Sequence, residues 1–453
     1  MSTLQDFLFF LQRVRLCTWN VGNTDPVVDD DIVKLLKLDS TECADIYMVG
    51  LQEIKVDFGD TASRILNFAS ETYDDWAEVL LNILSKRDYF LIENVKVQAI
   101  SLSVFAHISH LPFIHFIRTD VERTGIGRVW GNKGGVAISA NIYNENVCFL
   151  NTHLAAHRDK DHERMEDVLE IFKEINFKRR ATIQSHDLVL WLGDMNWRIE
   201  KFSKEEVVSM IVKKEYDKLL HKDQLMKHMK HKGVISEFCE AAITFPPSYK
   251  FDVDSDLYDT SEKQRVPAWT DRILYRVSPH SRTMRSAFAR MLHLFSIKPH
   301  DSVPQSDIQI IKGSYTSLMD FQNSDHKPVV AECIITLPRN DNSCLVDIEI
   351  LGSWVAKSKG EFQVTYRKHM QPKDKDYLAL YQTPFTEYRA YKAWMDVPKM
   401  KTKPNKAGEL TQSCKFSTSK IKETGKYRVG YYSNKMSCLL ALSDPFEIST
   451  IDN

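Results

Sequence analysis

The run from Trp191 to Arg198 places a carboxylate and an amide where both could act on one water molecule. It reads Trp-Leu-Gly-Asp-Met-Asn-Trp-Arg and continues an apolar segment that begins at Leu188, which predicts a buried strand. Asp194 can take a proton, and the amide of Asn196 can donate and accept hydrogen bonds. Side chains at i and i+2 of an extended backbone point the same way, and Gly193 predicts close approach of the backbone to a ligand. The alternative is a strand end followed by an Asx turn without a chemical role.

Polar residues stand at the ends of several further apolar segments. Each segment is a predicted buried strand, and each delivers an Asn, Asp, Glu or His at one end. A repeated pattern of this kind predicts one shared site rather than a set of unrelated turns. The runs are Thr18 to Asn23, Gln52 to Ile54, Gly131 to Gly135, Thr152 to His157, Pro267 to Arg272, and Ser324 to Pro328.

Two of these runs fit the signature motifs of a known enzyme family. Trp191 to Arg198 fits the form W-x-G-D-x-N-aromatic-R, and Arg265 to Leu274 fits R-x-P-A-W-T/C-D-R-I-L. The chain therefore resembles the inositol polyphosphate 5-phosphatases, a branch of the endonuclease/exonuclease/phosphatase superfamily. Trp197 stands where the family usually has Phe or Tyr, a change that keeps the aromatic ring. The resemblance covers roughly residues 14 to 337.

Hydrolysis of a phosphate monoester calls for positive charge, because the substrate is highly anionic and the alkoxide is a poor leaving group. A hard divalent cation with oxygen ligands, here Mg²⁺, meets both needs. Glu53 is the best candidate for a direct ligand, since it ends the otherwise apolar strand Ile46 to Leu51. Asn20 would stand beside it, and the resemblance implies the same role for both residues. It also implies Asp325 as a further ligand or water-positioning group.

The resemblance assigns roles in the reaction as well. Asp194 would orient or deprotonate the attacking water, and Asn196 would hold its geometry. His326 would contact the scissile phosphate, with Asp271 holding the imidazole in orientation and favouring its protonated form. His153 would hydrogen-bond a phosphate oxygen and help the leaving group depart. Direct in-line attack by water is expected, and no Cys nucleophile is needed.

The phosphates that are not cleaved should decide which substrate is chosen. In the family, residues at four matching positions bind the 4-phosphate. Three cations and a phenol also suit a phosphate dianion on physical grounds. The four residues are Tyr249, Lys250, Lys263 and Arg265.

Further substrate contacts are expected from two loops. Asn132 and Lys133, in the Gly-rich run, would face the 1-phosphate, although Gly134 and the next glycine could equally form only a tight turn. His157 would touch phosphate or simply complete its loop. The stretch from Gly125 to Trp130 mixes apolar and basic residues, and could meet acyl chains or the bilayer surface.

The segments between the strands predict a layered α/β domain. Apolar residues at helical spacing mark core-facing helices over Trp76 to Leu84 and over Met165 to Ile175. The second of these faces includes Leu169. The resemblance implies the family's four-layer endonuclease/exonuclease/phosphatase sandwich, in which helices flank two packed sheets.

The C-terminal part of the chain has a different pattern. After the polar break from Pro338 to Ser343, short strand candidates alternate with turn residues, and no helical periodicity competes. This predicts a small all-β, Ig-like sandwich over 344–449 that follows a catalytic domain over 14–337 able to fold without it. The predicted strands are Leu345 to Leu351, Glu361 to Arg367, Tyr377 to Tyr381, Tyr388 to Trp394, and Lys426 to Tyr432.

Three aromatic runs in this part resemble the SKICH domain that follows the catalytic domain in a few 5-phosphatases. They are Asp376 to Tyr381, Tyr391 to Trp394, and Tyr427 to Asn434. The resemblance implies a protein partner and a targeting role for this module.

Composition narrows the class of protein. With 453 residues and 43% hydrophobic content, the chain has room for two domains. Its 60 basic and 61 acidic residues give a net charge of −1, which does not suggest nucleic-acid binding. Eight cysteines without C-x-x-C pairs favour a reducing cytosol. The apolar segment Leu8 to Leu11 is too short to span a bilayer, so peripheral association with plasma membrane or endoplasmic reticulum is expected.

The sequence thus predicts a Mg²⁺-dependent phosphoinositide 5-phosphatase acting on PI(4,5)P₂, PI(3,4,5)P₃ or soluble inositol polyphosphates. A nuclease of the same superfamily is an alternative, disfavoured by the 4-phosphate residues and the near-neutral charge. A non-catalytic adaptor acting through its C-terminal domain is a second alternative. It is disfavoured because every expected catalytic position is filled.

Overall fold

Two β-sheets packed face to face form the larger part of the molecule, and a separate β-sandwich follows them. The computed structural model describes residues 9–55, 74–125, 132–177, 181–278, 308–311, 313–338, 345–367, 370–373, 375–398, 405, 408–419, 421 and 423–449. Helices cover the outer faces of the two packed sheets. The predicted four-layer α/β sandwich and the all-β unit after it are both confirmed.

The elements of the α/β part lie within residues 9–338. Its described helices are α1 (Asp29–Leu36), α2 (Asp75–Ser85), α3 (Asp161–Glu174), α4 (Lys204–Val212), α5 (Tyr216–Leu220) and α6 (Gln224–Lys230), with 3₁₀ turns at Ile108–Phe113, Ile183–Ser185 and Ile235–Glu237. Its described strands are β1 (Phe9–Asn20), β2 (Ile46–Gln52), β3 (Tyr89–Val97), β4 (Ile100–His107), β5 (Ile114–Arg123), β6 (Gly134–Ile142), β7 (Glu145–His153), β8 (Asn176–Phe177), β9 (Ala181–Thr182), β10 (Leu188–Asp194), β11 (Cys239–Glu240), β12 (Asp271–Val277), β13 (Ile308–Ile310), β14 (Thr316–Ser317) and β15 (Val329–Pro338).

The first sheet has the strand order β13-β15-β1-β2-β4-β3, with β14 beside β15. At its centre β1 and β2 run parallel, and Asn20 pairs with Gln52 at their C-terminal ends. Strand β15 runs antiparallel to β1 and begins at Val329, opposite Thr18. The end of β1, the end of β2 and the start of β15 therefore share one edge of this sheet.

The second sheet repeats the same plan with the order β11-β12-β10-β7-β6-β5. Strands β7 and β10 run parallel, and His153 pairs with Asp194 at their C-terminal ends. Asp271, the first residue of the antiparallel neighbour β12, stands opposite Asp194. Crevices outside the carboxyl ends of parallel strands are where α/β sheets bind ligands, and here two such ends face each other.

Strand β10 shows how the sequence builds these layers. Successive side chains of a strand point to opposite faces, and its apolar residues alternate between two cores. Leu190 and Leu192 join the core between the sheets, whereas Val189 and Trp191 join the core under α3 and α6. A strand buried on both faces must be apolar throughout, which is the pattern of this segment.

Two glycines permit close approach of backbone to backbone or sheet to sheet. A Cβ on Gly50 would lie 2.2 Å from Cδ1 of Leu192 across the sheet interface. Gly193 has φ +148°, and a Cβ there would lie 2.0 Å from the carbonyl oxygen of Thr152 on β7. The structure therefore requires Gly193 for packing of the parallel strand pair, and close approach of its backbone to a ligand stays a prediction.

The predicted helices are present, and one of them buries most of the predicted face but exposes one of its residues. Helix α3 buries Val168 and Phe172 as expected, but Leu169 is 50% exposed. The buried face instead includes Arg164 and Asp167, since both bond to the loop after β7: Arg164 Nη1 donates to the carbonyl of Ala155, and Asp167 accepts from its N–H. The spacing of apolar residues cannot predict that polar residues of a helix are buried because they hydrogen-bond to a loop.

The C-terminal part is a β-sandwich with its own core. Its sheets have the orders β16-β18-β21 and β17-β24-β22-β19-β20, with β23 beside β22. The core contains the fully buried side chains of Trp354, Tyr366 and Tyr431. Its described strands are β16 (Val346–Leu351), β17 (Trp354–Val355), β18 (Lys359–Tyr366), β19 (Tyr377–Gln382), β20 (Ala393–Asp396), β21 (Leu410–Ser417), β22 (Gly425–Ser433), β23 (Cys438–Leu442) and β24 (Phe446–Ser449).

The prediction of a strand from Tyr388 to Trp394 was wrong for most of its length, because β20 begins only at Ala393. Aromatic residues raise strand propensity, but here they fill a side-chain cluster. Tyr388 stacks on Tyr432, with 4.9 Å between the ring centroids. Tyr391 contacts Tyr377 edge to face.

The sandwich packs against the α/β part. The ring of Phe385 lies 5.6 Å from that of Phe90 on β3, and Leu439 belongs to the apolar cluster that fills the space between the sheets. Backbone hydrogen bonds cross the same boundary, from Leu91 N to Thr386 O (3.3 Å) and from Phe116 N to Met436 O (3.1 Å). These contacts argue against the expectation that the catalytic part is stable alone.

No helix in the described part of the chain has the length and apolar character needed to cross a membrane.

Candidate active site

Asp194 lies at the centre of a cluster of buried polar side chains drawn from both sheets. Its Oδ2 accepts a hydrogen bond from Asn20 Nδ2 (3.0 Å) and lies 3.3 Å from His153 Nε2 and 3.9 Å from His326 Nε2. Asn20 ends β1 and His326 precedes β15 in the first sheet, whereas His153 and Asp194 end neighbouring strands of the second. The cluster therefore forms only when the two sheets pack together.

His326 is held by Asp271. The distance between His326 Nδ1 and Asp271 Oδ2 is 2.9 Å, and the same oxygen accepts from Ser248 Oγ (2.7 Å) and Thr270 Oγ1 (2.9 Å). Burial alone would lower the pKa of His326, but the negative charges of Asp271 and Asp194 raise the pKa to about 10. At neutral pH the imidazole is therefore a cation with Nε2–H directed toward the cluster.

Asp194 stays ionised although it is buried. Burial would raise its pKa, but the positive charge of His326, the hydrogen-bond contact with His153 and the charge of Lys133 hold the pKa well below its usual range. A carboxylate of such low basicity takes a proton reluctantly. Its environment therefore suits it to accepting a hydrogen bond from a water molecule more than to removing the proton.

Asn196 contacts Asp194 in a way the sequence did not predict. Strand β10 ends at Asp194, and Asn196 has φ 55°, so this backbone is not extended. Asn196 N donates to Asp194 Oδ1 (3.0 Å), which is an Asx turn, and Asn196 Nδ2 donates to the carbonyl of Leu154 (3.1 Å). In the sequence, an Asx turn was the alternative interpretation, in which Asp194 has no chemical role. In the structure the Asx turn is present, and it fixes the Asp194 carboxylate in the cluster.

Lys133 belongs to this cluster. Its Nζ contacts Nε2 of His153 and lies near the negative charges of Asp194 and Glu53. Burial and the charge of Lys133 lower the pKa of His153, which favours the neutral imidazole. Lys133 was expected at the 1-phosphate, but the structure brings it to the reaction centre.

The other residues expected to face the substrate are placed less centrally. Asn132 is exposed, and most of the neighbouring Gly125 to Trp130 stretch, at residues 126–130, lies outside the described residues. His157 is exposed at the rim with φ 76°. Burial and the positive charges of the nearby Arg265 and Arg198 lower the pKa of His157.

Glu53 and Asn20 offer oxygen atoms next to this cluster. Glu53 Oε1 lies 3.8 Å from His153 Nε2, and its backbone has φ 55°, an uncommon conformation for a residue other than glycine. Asn20 Oδ1 accepts from Gly22 N (3.1 Å), which leaves a second lone pair. With Asp194 these residues form a set of hard oxygen donors, which fits a hard divalent cation such as the expected Mg²⁺.

A second set of possible ligand atoms is less suitable for a cation. Atoms of Asp194, Asp271 and His326 lie within 4.8 Å of one another. However, His326 uses Nδ1 to bond Asp271, and its raised pKa keeps Nε2 protonated and unable to coordinate. We interpret this set as a charge network around His326.

Asp325 and Lys250 pair with each other. Lys250 Nζ contacts Asp325 Oδ2, and the other carboxylate oxygen of Asp325 lies 3.5 Å from Ser324 Oγ. One oxygen of the residue assigned to the metal is thus taken by a residue assigned to the 4-phosphate. The metal role of Asp325 stays a prediction.

The other residues assigned to the 4-phosphate gather around a small cavity. Lys263 and Arg265 line about 150 Å³ of space together with Arg158 and Arg198. Tyr249 lies between this cavity and the reaction centre: its ring centroid is 4.4 Å from that of His326 and 4.4 Å from the guanidinium carbon of Arg198. The sequence gave no role to Arg158 or Arg198, although one is next to His157 and the other ends the first motif.

Arg164 is a further residue that the sequence did not single out. It is fully buried, and Nη1 donates to the carbonyls of Ala155 (3.0 Å) and His157 (2.6 Å). It therefore fixes the loop that carries His153 to His157. The sequence did not indicate this role, because Arg164 lies within a helix of mixed composition.

Comparison with known proteins now decides the family. The model of Endonuclease/Exonuclease/phosphatase family 2 matches residues 17–332, and the SKICH domain model matches 346–448. The chain is 33% identical over 443 residues to inositol polyphosphate 5-phosphatase K of Mus musculus, covering 97% of this chain and 90% of that protein. The chain belongs to the inositol polyphosphate 5-phosphatase family.

Other family members extend beyond the matched region. Phosphatidylinositol 4,5-bisphosphate 5-phosphatase A of Homo sapiens is 33% identical over 443 residues, covering 96% of this chain. The chain spans 42% of the length of that relative.

Solved structures show the same fold. The inositol polyphosphate 5-phosphatase domain of SPsynaptojanin, in complex with inositol (1,4)-bisphosphate and calcium ion, superimposes with a TM-score of 0.58 at 30% identity, covering 74% of this chain and 88% of that one. A ferrous NO complex of Cimex nitrophorin (A21V mutant) has a TM-score of 0.54 at 22% identity, covering 72% and 99%. Because a nitrophorin has this fold, the function of the present family member must be argued from its side chains.

Proposed function

We propose that this protein is a Mg²⁺-dependent phosphatase that removes the 5-phosphate of phosphoinositides such as PI(4,5)P₂ and PI(3,4,5)P₃, and of soluble inositol polyphosphates. The observation that carries the proposal is the position of ionised Asp194 between Asn20, His153 and protonated His326. The relatives' names support it. So does the inositol (1,4)-bisphosphate in the solved relative, which is what remains when inositol 1,4,5-trisphosphate loses its 5-phosphate.

The attacking water is held by Asp194 and Asn196. Asp194 accepts a hydrogen bond from the water, and the Asx turn at Asn196 keeps the carboxylate from rotating. Both carboxylate oxygens are already hydrogen-bonded, one to Asn196 N and one to Asn20 Nδ2. This makes Asp194 a poor nucleophile, so water attacks phosphorus directly.

Cations of the chain stabilise the phosphoryl group as charge develops on its oxygens. His326 donates Nε2–H to a phosphate oxygen, and Asp271 maintains its positive charge. Lys133 donates to phosphate, and His153, which Lys133 contacts, assists the leaving oxygen. Positioned donors of this kind cost no reorganisation during the reaction.

Glu53 and Asn20 would hold the Mg²⁺ ion. When bound, the ion supplies positive charge that stabilises the phosphate oxygens and the leaving alkoxide. Asp325 is proposed as a further ligand or water-positioning residue on the same side of the site. In addition it orients Lys250 through their ion pair.

The remaining phosphates are held outside the reaction centre. Tyr249, Lys250, Lys263 and Arg265 bind the 4-phosphate, and His157 contacts phosphate at the rim. Asn132 faces the 1-phosphate. Charge-assisted hydrogen bonds from Lys and Arg are the strongest contacts that proteins make to phosphate.

We propose that the protein has two domains, a catalytic domain over 14–337 and a SKICH-like sandwich over 344–449. The family models matching 17–332 and 346–448 and the separate core of the sandwich support this division. The protein would act from the cytoplasm on lipids at the surface of the plasma membrane or endoplasmic reticulum. A protein partner would bind the sandwich.

Regiospecific phosphate release tests the function. Inositol 1,4,5-trisphosphate, PI(4,5)P₂, PI(3,4,5)P₃ and a single-stranded oligonucleotide are incubated with the full chain, with Mg²⁺ or with EDTA. The proposal predicts Mg²⁺-dependent loss of the 5-phosphate from inositides and an intact oligonucleotide. A substrate with a chiral thiophosphate should react with inversion at phosphorus, whereas retention would indicate a covalent phosphoenzyme.

A further inference from the structure

The cavity beside the reaction centre is lined by four cations. Arg158, Arg198, Lys263 and Arg265 surround about 150 Å³, together with Ile199, Gln264 and Val266. Within the described part of the chain, none of the four cations has an ion pair with a carboxylate. The nearby carboxylate of Asp259 accepts from the backbone N–H of Arg265 (2.7 Å) and from Ser261 Oγ (2.6 Å), so it does not neutralise the guanidinium by direct contact.

Arg198 makes this arrangement costly unless an anion binds. It is only 6% exposed, and its Nε donates to the carbonyl of Asn196 (3.0 Å) while Nη2 contacts Asn196 Oδ1. Its guanidinium also stacks on Tyr249. These contacts fix the direction of the group but do not supply a negative charge, and a buried cation without a counter-charge destabilises the folded state. The cavity therefore fits an anionic ligand.

Arg158 is held at the cavity by its surroundings. One Nη2–H donates to the carbonyl of Phe202 (2.9 Å), and the carbonyl of Arg158 accepts from Gln224 Nε2 (3.1 Å). The preceding carbonyl, of His157, is bound by buried Arg164. A guanidinium has five donors, so most of those on Arg158 remain for a ligand.

The number of charges indicates how many phosphates the cavity holds. A phosphate monoester carries about −1.5 to −2 at pH 7. Because the charge of Lys250 is balanced by Asp325, Lys263 and Arg265 together balance one phosphate. Arg158 and Arg198 add two positive charges to the same small space, which matches a second phosphate. If the first is the 4-phosphate, its free neighbour on the inositol ring is the phosphate at position 3.

We propose that Arg158 is a specificity-determining residue that binds a 3-phosphate beside the 4-phosphate, so that inositides with phosphates at positions 3, 4 and 5 are preferred to those with 4 and 5 alone. This inference rests on the proposed 5-phosphatase function. Arg198 contacts Asn196 and Tyr249 and also lines the cavity. It therefore connects the phosphate-binding cavity with the reaction centre.

Soluble headgroups test the proposal without a membrane. kcat/KM is measured for inositol 1,3,4,5-tetrakisphosphate, inositol 1,4,5-trisphosphate and the isomer inositol 1,4,5,6-tetrakisphosphate. The wild type should prefer the 1,3,4,5 isomer to both others. Arg158→Gln should lower that preference by about tenfold or more, the effect of losing one charge-assisted contact. Arg158→Lys should keep part of it, because the charge remains while the forked geometry is lost.

A matched control is Arg87→Gln. Arg87 is exposed at the end of α2 and, like Arg158, donates to a backbone carbonyl, that of Ile83 (3.1 Å). This variant should show the wild-type preference. An equal loss on all three substrates in Arg158→Gln, or no loss on any, would overturn the proposal.

Binding of reaction products separates this proposal from the proposed function. Calorimetry on the metal-free protein compares inositol 1,3,4-trisphosphate with inositol 1,4-bisphosphate. Tighter binding of the trisphosphate, lost in Arg158→Gln, supports the 3-phosphate site even if no substrate is hydrolysed, a result that would refute only the enzyme activity. Equal binding of the two products by an active wild type would refute the 3-phosphate site and leave the 5-phosphatase function in place.

Discussion

Asp194 Oδ2 and His326 Nε2 lie 3.9 Å apart, although one residue ends a strand of the second sheet and the other precedes a strand of the first. This distance exceeds that of a hydrogen bond, so the opposite charges attract without a direct bond. Asp194 can therefore bind the water while His326 binds the phosphate. Their positions depend on packing of the two sheets, and Gly50 allows the sheets the close approach that this requires.

Asp271→Asn should lower the pKa of His326. Asp271 is the largest source of the negative charge that raises this pKa to about 10, and the amide lacks that charge. The proton-dependent stability of the wild type is complete below the unfolded value of about 6.5 and is lost as pH rises through about 10. NMR titration of the imidazole in metal-free protein measures the change, and an unshifted titration would show that Asp271 does not control the charge.

Glu53→Gln should raise the Mg²⁺ concentration needed for half-maximal activity. The amide keeps the size of the side chain but loses the charge that a hard divalent cation prefers. Glu163→Gln is a control, since Glu163 is an exposed carboxylate on α3 that pairs with Lys160. An unchanged metal titration in Glu53→Gln would remove this residue from the ligand set.

Arg265→Ala should weaken selection for the 4-phosphate. Loss of one charge-assisted contact costs roughly 1.5–3 kcal/mol, so kcat/KM for inositol 1,4,5-trisphosphate should fall about 10- to 150-fold. Lys250→Ala should have a smaller effect, because Lys250 must first leave Asp325. Inositol 1,5-bisphosphate, which lacks the 4-phosphate, should be affected much less. Equal losses on both substrates would assign these residues to the fold or the reaction centre.

Phe385→Ala should destabilise the whole molecule. Phe385 is 5% exposed and packs on Phe90 across the boundary between the α/β part and the sandwich, and Phe→Ala at a buried site costs about 3–5 kcal/mol. Urea unfolding measures the loss, with Leu257→Ala, at a side chain 62% exposed, as the control. A chain ending at residue 337 should be less stable for the same reason. Wild-type stability of that truncated chain would mean that the contact contributes little.

Local sequence patterns predicted the strands and the residues that gather at their ends. Strand β10 was predictable because a strand buried on both faces has to be apolar throughout, and the polar residues after it mark where the sheet ends. The two motifs contain Asp194 and Asp271, and the family resemblance assigned a role to His326. The structure brings the three residues together. The family resemblance assigned residues that are far apart in the chain to one site, whereas their spacing in the sequence does not show that they meet.

What the sequence did not predict depends on contacts between distant segments. Lys133 was assigned to the 1-phosphate, but contact with His153 on the neighbouring strand β7 places it in the reaction centre. Arg158 became a candidate only when the structure brought it beside Lys263 and Arg265. The docking of the sandwich through Phe385 was likewise hidden, because an aromatic residue in a loop looks the same whether it packs within its own domain or on another.

Product analysis of inositol 1,4,5-trisphosphate hydrolysis by the wild type and by Asp194→Asn, with saturating Mg²⁺, determines whether the protein removes the 5-phosphate and whether the Asp194 carboxylate is needed. The change is nearly isosteric but removes the charge that orients the water and balances His326. The wild type should release only the 5-phosphate, giving inositol 1,4-bisphosphate, and the folded variant should lose about three orders of magnitude or more in kcat. Release of a different phosphate by the wild type, or near-wild-type turnover by Asp194→Asn, would contradict it.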